Sequence, residues 1–540
     1  MGAVPNSPVQ HPHLSPEDTL TDPLPSSQAG VRRMARLLAA AGLAVAVALP
    51  VTASAAPVGR APVPAAVSST QSPGTAQVWA TTTDGASRLT LRGTSSARTA
   101  SSSSTAATLT LDTGVTGQSV TGFGAALTHS SAELLMALPA AERQRVLVEL
   151  FDPAGPVRLS VLRVPLGASD FVVGSPFTYD DTPGNKPDWS LSRFSTAKDT
   201  KALRPVLQQI KRIAPDLVVV ASPWSAPAWL KASGSLKGGR LRADTRAVPT
   251  YAEYLVRALR DFRAAGVPID VLTVQNEPQT RSFADYPRMD MPAAQQVAVI
   301  NALVPRLEAA ELRVRILGFD HNWVQHPGDV ASVPAGGDAE DDYALRVLRS
   351  SAGASVAGTA FHCYYGDASA QEPVHAAFPD KEIWVTECSG SHGPTDTPSR
   401  YFADTLAWQS KNLMIASLRH WATSVMTWNL ALDPSGGPHS GGCTTCTGVV
   451  TVDNGRVTPN AEYYVLAHAS RFLPPGSVRV ASTMSAGALT HVAFRAPDGT
   501  IAVLVQHGGW SALPLTITVA GTAYDVAIPP RSTSTVRIAP

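Results

Sequence analysis

Eight apolar, strand-like runs alternate with amphipathic helical patterns from residue 121 to about residue 462. Apolar runs of this length that are rich in β-branched residues indicate buried strands, and apolar residues at three- and four-residue spacing indicate helices. The runs cover residues 120–127, 159–166, 217–221, 271–274, 314–317, 359–364, 383–386 and 424–430. The clearest helical patterns cover residues 140–151, 198–213, 250–265, 293–311 and 401–419. Strands that alternate with helices in this way predict an α/β fold, a (β/α)8 TIM barrel with enlarged loops.

An open, doubly wound sheet is the competing arrangement for the same alternation. It is less favoured because no glycine-rich phosphate loop follows any of the runs. Beyond Pro474 the pattern changes to short strands separated by Gly, Pro and Asp turns. We therefore expect N-terminal strands over residues 77–116, the barrel over residues 117–470, and more strands over residues 471–540. Both chain ends would then build one β-sandwich side domain.

The N-terminus has the pattern of an export signal. Arg32, Arg33 and Arg36 precede an apolar stretch over residues 37–49, and small residues at 53–55 follow as a cleavage site. The stretch is too short to favour the alternative, a permanent membrane anchor. We expect a signal peptide with a long leader over residues 1–55 and a flexible linker over residues 56–76. The protein would be secreted, without stable membrane association.

Composition narrows the range of partners. The 540 residues carry 43 Lys and Arg against 42 Asp and Glu, a formal net charge of +1, and no long basic run. Neither nucleic acid nor an anionic surface is therefore expected as a partner. Four cysteines are too few for a disulfide scaffold in a chain of this length.

Glu277 and Glu387 each stand where an apolar run stops and a loop begins. In a parallel barrel the C-terminal ends of the strands surround the active site, so both carboxylates are expected to face one cleft. Two carboxylates that face one cleft are what glycoside hydrolysis requires. The alternative for either glutamate alone is a structural role, as a helix cap or as the partner of an arginine.

Seven segments then carry a family resemblance. In chain order they are GFGAALTHSSA (122–132), RVPLGASDF (163–171), ASPWSAPAWLK (221–231), QNEP (275–278), FHCY (361–364), TECSG (386–390) and WNLALDPSGGP (428–438). Together they resemble glycoside hydrolase family 30, whose members include glucosylceramidase and endo-β-1,6-glucanase, over residues 77–540. The resemblance implies a retaining β-glycosidase on a barrel with a β side domain. It also implies Glu277 as the acid/base, Glu387 as the nucleophile and Arg163 as the cation beside the nucleophile.

These roles require different pKa values for the two glutamates. The nucleophile must be ionised, and Arg163 would lower the pKa of Glu387. The acid must hold its proton, so burial or a nearby negative charge should raise the pKa of Glu277. A retaining enzyme also holds its two carboxyl groups about 5–5.5 Å apart, so that one attacks the anomeric carbon while the other protonates the leaving oxygen.

The resemblance further implies a set of substrate-binding residues. Asn276 would bond the sugar 2-hydroxyl, and Asp170 would bind hydroxyls on the far edge of the sugar. Trp224 and Trp428 would form the walls of the subsite with their aromatic faces. The alternatives are a turn position for Asn276 and ordinary core positions for the two tryptophans. The full set is Asp170, Trp224, Asn276, Tyr286, His362, Tyr364 and Trp428.

Two departures from the family pattern bear on the substrate. His129 stands where the pattern often has an aspartate, and residues 439–448 do not resemble the glucosylceramidase loop. That stretch is closer to the secreted β-1,6-glucanase branch. The departures favour a polysaccharide over a lipid glycoside.

The cysteines pose a separate question. Cys443 and Cys446 could form half of a zinc site, but Cys363 and Cys388 lie on predicted barrel strands, and a structural zinc site needs four ligands together. In an exported protein a short-loop disulfide between Cys443 and Cys446 is favoured. We expect Cys363 and Cys388 to be buried free thiols.

The sequence thus predicts an exported retaining β-glycosidase that hydrolyses β-linked glucosides, with β-1,6-glucan favoured, by double displacement. No metal or organic cofactor is expected, because two carboxylates supply both the covalent and the proton-transfer chemistry. One alternative is a glucosylceramidase-like, β-xylosidase or β-fucosidase activity at the same site. The other is a non-catalytic carbohydrate-binding protein, which should have lost one of the two carboxylates.

Overall fold

The computed structural model describes residues 74–100, 107–282, 285–485, 487 and 489–540. The predicted export signal and residues 56–73 of the predicted linker lie outside these described residues. The described chain opens with strands that belong to the side domain. They are β1 (Thr75–Thr82), β2 (Thr90–Ser96), β3 (Arg98–Thr99) and β4 (Ala107–Ser119).

The next eight strands of the described chain form a closed parallel barrel, which confirms the predicted fold class. They are β5 (Gly122–Ala126), β6 (Val161–Leu166), β7 (Val218–Pro223), β8 (Val271–Thr273), β9 (Arg315–Asn322), β10 (Val356–His362), β11 (Glu382–Glu387) and β12 (Ala422–Asn429). Consecutive strands pair in order, and β12 pairs with β5 to close the sheet.

Helices lie between the barrel strands and pack an apolar face against them. In the third helix the buried residues Leu203, Val206, Leu207 and Ile210 recur at three- and four-residue spacing, as one helix face requires. The helices are α1 (His129–Ala137), α2 (Ala140–Phe151), α3 (Leu203–Ile213), α4 (Ala247–Ala264), α5 (Ala293–Ala309), α6 (Pro327–Ala331), α7 (Tyr343–Arg349), α8 (Glu372–Ala377), α9 (Pro398–Trp408) and α10 (Ala416–Arg419). A π-helical segment, Gln409–Ile415, joins α9 to α10, so the predicted helix over residues 401–419 has three parts. Within the described residues no helix has both the length and the apolar character needed to cross a bilayer.

The rest of the chain leads into the side domain. The connecting elements are β13 (Ala431–Leu432), β14 (Val450–Asp453), β15 (Arg456–Pro459) and α11 (Ala461–Ser470). The final strands are β16 (Val478–Met484), β17 (Thr490–Arg495), β18 (Ile501–His507), β19 (Leu513–Val519), β20 (Thr522–Ile528) and β21 (Ser532–Ile538). They join β1 to β4 in one sheet of the order β2-β1-β21-β18-β17-β16-β4-β19-β20-β3. Both ends of the described chain therefore build the side domain, as predicted.

The barrel interior is filled below its C-terminal mouth. A cluster separate from the main core takes one buried residue from each of β6 to β12. The cluster is Val161, Val220, Val271, Leu317, Ala360, Trp384 and Met426. Side chains from seven consecutive strands of a closed barrel meet only on its axis, so this cluster marks which positions of each strand point inward.

The cysteine pairing corrects one expectation. Cys363 and Cys388 are not free thiols but form a disulfide, with Cα atoms 5.2 Å apart. They directly follow the neighbouring strands β10 and β11, which brings them within the span of a disulfide. The other disulfide joins Cys443 and Cys446, the pair expected from the sequence. All four cysteines of the described chain are thereby paired, and none remains for a zinc site.

Candidate active site

The strand period places a polar layer directly above the interior cluster. Because side chains alternate across a strand, the residue two positions after each inward residue points inward again, nearer the mouth of the barrel. On six of the seven strands this step leads to Arg163, Ser222, Thr273, His362, Thr386 and Trp428. Each of these residues is at most 3% exposed. These six residues form a buried, mostly polar layer above the apolar cluster, and we call this layer the polar floor.

Strand β9 departs from this register. Phe319 and Asp320 have positive φ angles of 70° and 69°, and the pairing with β10 skips Asp320, which is a bulge. The bulge turns the carboxylate of Asp320 into the floor, where it is fully buried. Asp320 is a site residue that was not predicted from the sequence. The signal that identified the two glutamates also applies to it, because Asp320 is a carboxylate that follows the apolar run at 314–317 by three residues.

Asp320 is the centre of the polar floor. Its oxygens accept hydrogen bonds from Arg163 (3.0 Å), Ser222 (2.9 Å), Thr273 (2.6 Å), His362 (3.1 Å) and Thr386 (2.7 Å). Burial raises the pKa of Asp320, but Arg163 and His362 outweigh that effect and hold the pKa far below its usual range. Asp320 is therefore a fixed negative charge at the base of the site.

Arg163 connects Asp320 to the residues above it. The guanidinium is fully buried, and its Nη1 donates to Oε2 of Glu387. Its Nη2 donates to Oδ1 of Asn276 at 2.7 Å as well as to Asp320. One planar cation thus orients one glutamate and the amide next to the other glutamate in the chain.

Glu277 lies just beyond β8 in a strained backbone conformation, with φ at 43°. Its backbone N–H donates to the carbonyl oxygen of Asp320 at 2.9 Å. Its Oε1 lies 3.1 Å from Nδ1 of His362, and its Oε2 accepts from the hydroxyl of Thr280 at 3.1 Å. The left-handed turn brings the end of β8 over the polar floor.

Glu387 is the last residue of β11 and faces Glu277 across the site. Its Oε1 accepts from the hydroxyl of Tyr364 at 2.9 Å, and its Oε2 accepts from Arg163. One oxygen of each glutamate and a nitrogen of His362 all lie within 4.8 Å of one another. A single cation could bridge three groups at this spacing, but both nitrogens of His362 already face carboxylates. The approach of the two carboxylates to within 4.8 Å through one oxygen each agrees with the about 5–5.5 Å between the carboxyl groups of retaining glycosidases and leaves less room than the inverting arrangement.

The charges of the site form a coupled set. Burial lowers the pKa of His362, but Glu387, Asp320 and Glu277 outweigh it and raise that pKa to about 9. Arg163 and His362 then supply two positive charges against three carboxylates. A single proton on the Glu277–Glu387 pair makes the whole set neutral, which a buried site favours.

The pKa order of the two glutamates is the reverse of the expected one. Burial raises the pKa of Glu277, but the hydrogen bond and charge of His362 outweigh it, so the pKa is lowered. Burial raises the pKa of Glu387 despite the opposing charges of His362 and Arg163. The structure contains the expected pairing of Arg163 with Glu387, but the expectation left out the burial of Glu387 and the imidazolium of His362, which bonds Glu277.

The remaining predicted residues surround the carboxylates. Trp224 and Trp428 stack on each other with ring centroids 5.2 Å apart, and Arg163 lies over both rings at 4.9 and 5.6 Å. Tyr286 packs on the same apolar cluster. Asp170 is 8% exposed, and burial, reinforced by the charge of Glu387, raises its pKa well above the usual range. The raised pKa disfavours the charged form of the Asp170 carboxyl group.

His129, the departure noted in the sequence, is part of a separate buried group. Its Nε2 lies 2.9 Å from Oδ1 of Asp199, whose other oxygen accepts from the hydroxyl of Tyr179 at 2.6 Å. No hydrogen bond of the described residues joins this group to the two glutamates. The group of His129, Asp199 and Tyr179 is therefore separate from the hydrogen bonds of the two glutamates.

Comparisons with known proteins agree with this geometry. Residues 120–473 match the glycosyl hydrolase family 30 TIM-barrel domain, and residues 476–536 match the family's beta sandwich domain. The chain is 32% identical to the endo-1,6-beta-D-glucanase neg1 of Aspergillus fumigatus over 445 residues, 77% of this chain and 84% of the relative. It is 29% identical to the lysosomal acid glucosylceramidase of Mus musculus over 415 residues, 74% of this chain and 77% of the relative.

A solved structure is similar over most of the chain. The endo-beta1,6-glucanase BT3312 superposes with a TM-score of 0.74 at 29% identity, covering 86% of this chain and 100% of that chain. The fold, the facing carboxylates and the two domain matches lead to one assignment. The chain belongs to glycosyl hydrolase family 30 and is a retaining glycoside hydrolase.

Proposed function

We propose that this enzyme hydrolyses β-1,6-glucan through a glycosyl-enzyme intermediate formed on Glu387. The observation that carries the mechanism is the approach of the Glu277 and Glu387 oxygens within 4.8 Å above a buried polar floor. The substrate is supported by relatives named endo-1,6-beta-D-glucanase in Aspergillus fumigatus and, at 33% identity over 413 residues, in Trichoderma harzianum.

In the first step Glu387 attacks the anomeric carbon and the glycosidic C–O bond breaks. Arg163 and Tyr364 each donate a hydrogen bond to Glu387, and these bonds hold its two oxygens in place for the attack. The proton of the leaving oxygen comes from Glu277, which becomes a carboxylate as the glycosyl ester forms. Loss of the Glu387 charge then relieves repulsion on the Glu277 anion.

In the second step water attacks the glycosyl ester from the side that the leaving group occupied. Glu277 takes the proton of that water as general base, and Glu387 departs as a carboxylate. The β configuration is retained, because two inversions occur at the same carbon. Both glutamates return to their starting state without a cofactor.

His362 is a positioning residue beside Glu277. Its Nδ1 faces Glu277 and its Nε2 faces Asp320, so the imidazolium lies between the two carboxylates. The first step requires the single proton of the Glu277–Glu387 pair to lie on Glu277, because Glu387 attacks as a carboxylate. The hydrogen bond that Glu387 accepts from Arg163 favours its carboxylate form.

Five further residues are proposed to bind the sugar. Asn276 would donate to the 2-hydroxyl from its amide nitrogen, because Arg163 already occupies its Oδ1. Asp170 and Tyr286 would bond outer hydroxyls. Trp224 and Trp428 stack on each other, so a sugar would contact their remaining surface and not both of the stacked faces.

Export is a second part of the proposal. The basic residues at 32–36, the apolar stretch over residues 37–49 and the small residues at 53–55 support a cleaved signal peptide. The two disulfides support an oxidising compartment. N-terminal sequencing of protein from the culture medium should start near residue 56. Recovery of the intact N-terminus inside cells would contradict export.

A glucosylceramidase-like activity is the second candidate, because the mouse lysosomal enzyme is 29% identical to the chain. The deciding experiment incubates purified protein with linear β-1,6-glucan, with Glu387→Gln as the inactive control. Gentio-oligosaccharides from the wild type alone would support both the substrate and the nucleophile. Glucose release from glucosylceramide, with no products from the glucan, would reverse the order of the two candidates.

A further inference from the structure

A disulfide-closed loop crosses the mouth of the barrel. We call residues 439–447, between β13 and β14, the strap. The disulfide between Cys443 and Cys446 closes its tip, with Cα atoms 5.7 Å apart. The strap contacts three other barrel loops, and each of those loops carries a residue of the proposed site.

The first contact is with Asp170 in the loop after β6. The N–H of Ser440 donates to the backbone carbonyl oxygen of Asp170 at 2.7 Å. Gly442, at φ +69°, lies so close that a Cβ there would be 2.3 Å from Oδ2 of Asp170. The strap backbone therefore packs directly on the carboxyl group that is proposed to bind the sugar, and only glycine fits at this point.

The second contact is with the loop after β8. The N–H of Gly442 donates to Oδ2 of Asp285 at 3.2 Å. A Cβ on Gly441 would lie 2.4 Å from the carbonyl oxygen of Asp285. Asp285 immediately precedes Tyr286, and Tyr286 packs with Cys443 against the cluster that contains Trp224.

The third contact is with the loop after β11, which begins at the proposed nucleophile. The N–H of His392 donates to the carbonyl oxygen of Thr445, and the N–H of Thr447 donates to that of Gly390, both at 3.0 Å. The hydroxyl of Thr447 also donates to the buried carboxyl group of Glu462. This end of the strap is therefore anchored three residues after Glu387.

The inner side of the strap joins the aromatic wall. Cys446 is 4% exposed and packs with Phe171, Trp224 and Trp428 in one buried cluster. The disulfide is thus part of the wall itself. The disulfide links Cys446, which lies in this cluster, to Cys443, which follows Gly442. Reduction would remove the covalent link between the contact with the aromatic cluster and the contact of Gly442 with Asp170.

We infer that the strap is the specificity-determining wall of the sugar subsite, and that the Cys443–Cys446 disulfide positions Asp170 and Trp428 for substrate binding. This inference rests on the proposed function. The strap makes no hydrogen bond to Glu277 or Glu387 among the described residues. Opening it should therefore weaken sugar binding and leave the chemical step unchanged, because the interaction is lost equally from the ground state and the transition state.

The test is a double variant, Cys443→Ala with Cys446→Ala, assayed on an aryl β-glucoside. We expect KM to rise roughly five- to tenfold with kcat within about twofold of wild type, since preorganisation of the subsite is lost. Gly442→Ala is the second variant, because it forces Asp170 away while the disulfide stays intact. The matched control is Thr444→Ala, at the exposed tip of the strap, which should keep the wild-type KM.

Reduction offers an independent measurement. Dithiothreitol added to folded wild type should reproduce the higher KM, and the double variant should not respond. An unchanged KM in the double variant and in Gly442→Ala would overturn the inference, as would an equal fall in kcat and kcat/KM. Because these assays use an aryl β-glucoside, failure on β-1,6-glucan would count against the proposed polysaccharide and not against the strap.

Binding provides a readout without turnover. Calorimetry of gentiobiose with Glu277→Gln should show weaker binding when the two strap cysteines are also replaced. Equal affinities, or no binding of gentiobiose to either form, would overturn the assignment of the strap to the sugar subsite.

Discussion

At the residue scale, Asp320 organises both glutamates although it contacts neither of them through its side chain. Arg163 links its carboxylate to Glu387, and His362 links it to Glu277. Each linking residue is a cation that bonds Asp320 on one side and a glutamate on the other. The distance between the two glutamates therefore depends on one buried charge, which makes Asp320 the most informative positioning residue to change.

Replacement of Asp320 by Asn should damage both stability and activity. The amide removes the buried carboxylate that Arg163 and His362 share, and breaking such a buried charge network costs about 3–5 kcal/mol in the free energy of unfolding. Displacement of the two glutamates should lower kcat/KM by about 100-fold or more. Urea unfolding and assays on an aryl β-glucoside measure the two effects. The control is Asp199→Asn, which removes a buried carboxylate outside the site and should lower stability alone.

Removal of the Glu277 side chain should separate the two steps of the reaction. With Glu277→Ala, a substrate with a poor leaving group should lose nearly all activity, because no group protonates the leaving oxygen. An activated aryl β-glucoside still forms the glycosyl-enzyme, and azide then replaces the water that lacks its base. We expect azide to restore turnover and to yield the β-glucosyl azide, identified by NMR. A rate that azide does not change would contradict the acid/base role.

At the element scale, the ends of three neighbouring strands shape the site. Strand β9 carries the bulge that turns Asp320 inward, and the disulfide after β10 and β11 joins the residues that follow His362 and Glu387. The N–H of Cys363 also donates to the carbonyl oxygen of Glu387 at 3.3 Å. The covalent bond thus continues the β10–β11 pairing at the point where the polar floor ends.

Loss of this disulfide should cost more stability than loss of the strap disulfide. Cys363 and Cys388 close a loop with a sequence separation of 25, against 3 for the strap pair. Replacement of both by Ala should lower the free energy of unfolding by about 2–4 kcal/mol, because a longer loop is released in the unfolded state. Urea unfolding of the two double alanine variants measures the difference. An equal or larger loss for the strap variant would refute this account.

At the scale of the whole molecule, α11 joins the barrel to the side domain. All ten of its residues are buried, and His468 bonds the hydroxyls of Thr81 in β1 and Thr535 in β21, each at 3.0 Å. Burial lowers the pKa of His468 to about 3. The fold therefore requires a neutral imidazole at the junction between its two parts.

This junction predicts a pH dependence of stability. The unfolded chain protonates His468 below about pH 6.5, whereas the folded protein resists protonation down to about pH 3, so stability falls as the pH drops through this window. The slope from this single group reaches at most about 1.4 kcal/mol per pH unit. His468→Gln keeps hydrogen-bonding atoms but cannot titrate. Urea unfolding measured from pH 7.5 to pH 4.5 should show that the free energy of unfolding falls more steeply for wild type than for the variant. An equal fall in the two proteins would contradict the prediction.

Local patterns determined the architecture of this protein. The alternation of apolar runs and amphipathic helices predicted the barrel, because strand and helix periods are properties of neighbouring residues. The same rule marked Glu277 and Glu387 at strand ends, and the short strands after Pro474 predicted the side domain. Family membership also followed from ordered local motifs, which the domain matches over residues 120–473 and 476–536 confirm.

The tertiary structure decided whatever depends on distances between residues remote in sequence. The bulge at Asp320, the pairing of Cys363 with Cys388, and the contact of the strap with Asp170 all join separate segments. The pKa order of the two glutamates reversed for the same reason, because His362 lies 85 residues from Glu277 in sequence and bonds it at 3.1 Å. Hydrogen bonds and charges act over a few ångströms of space, so only the folded chain determines which groups they join.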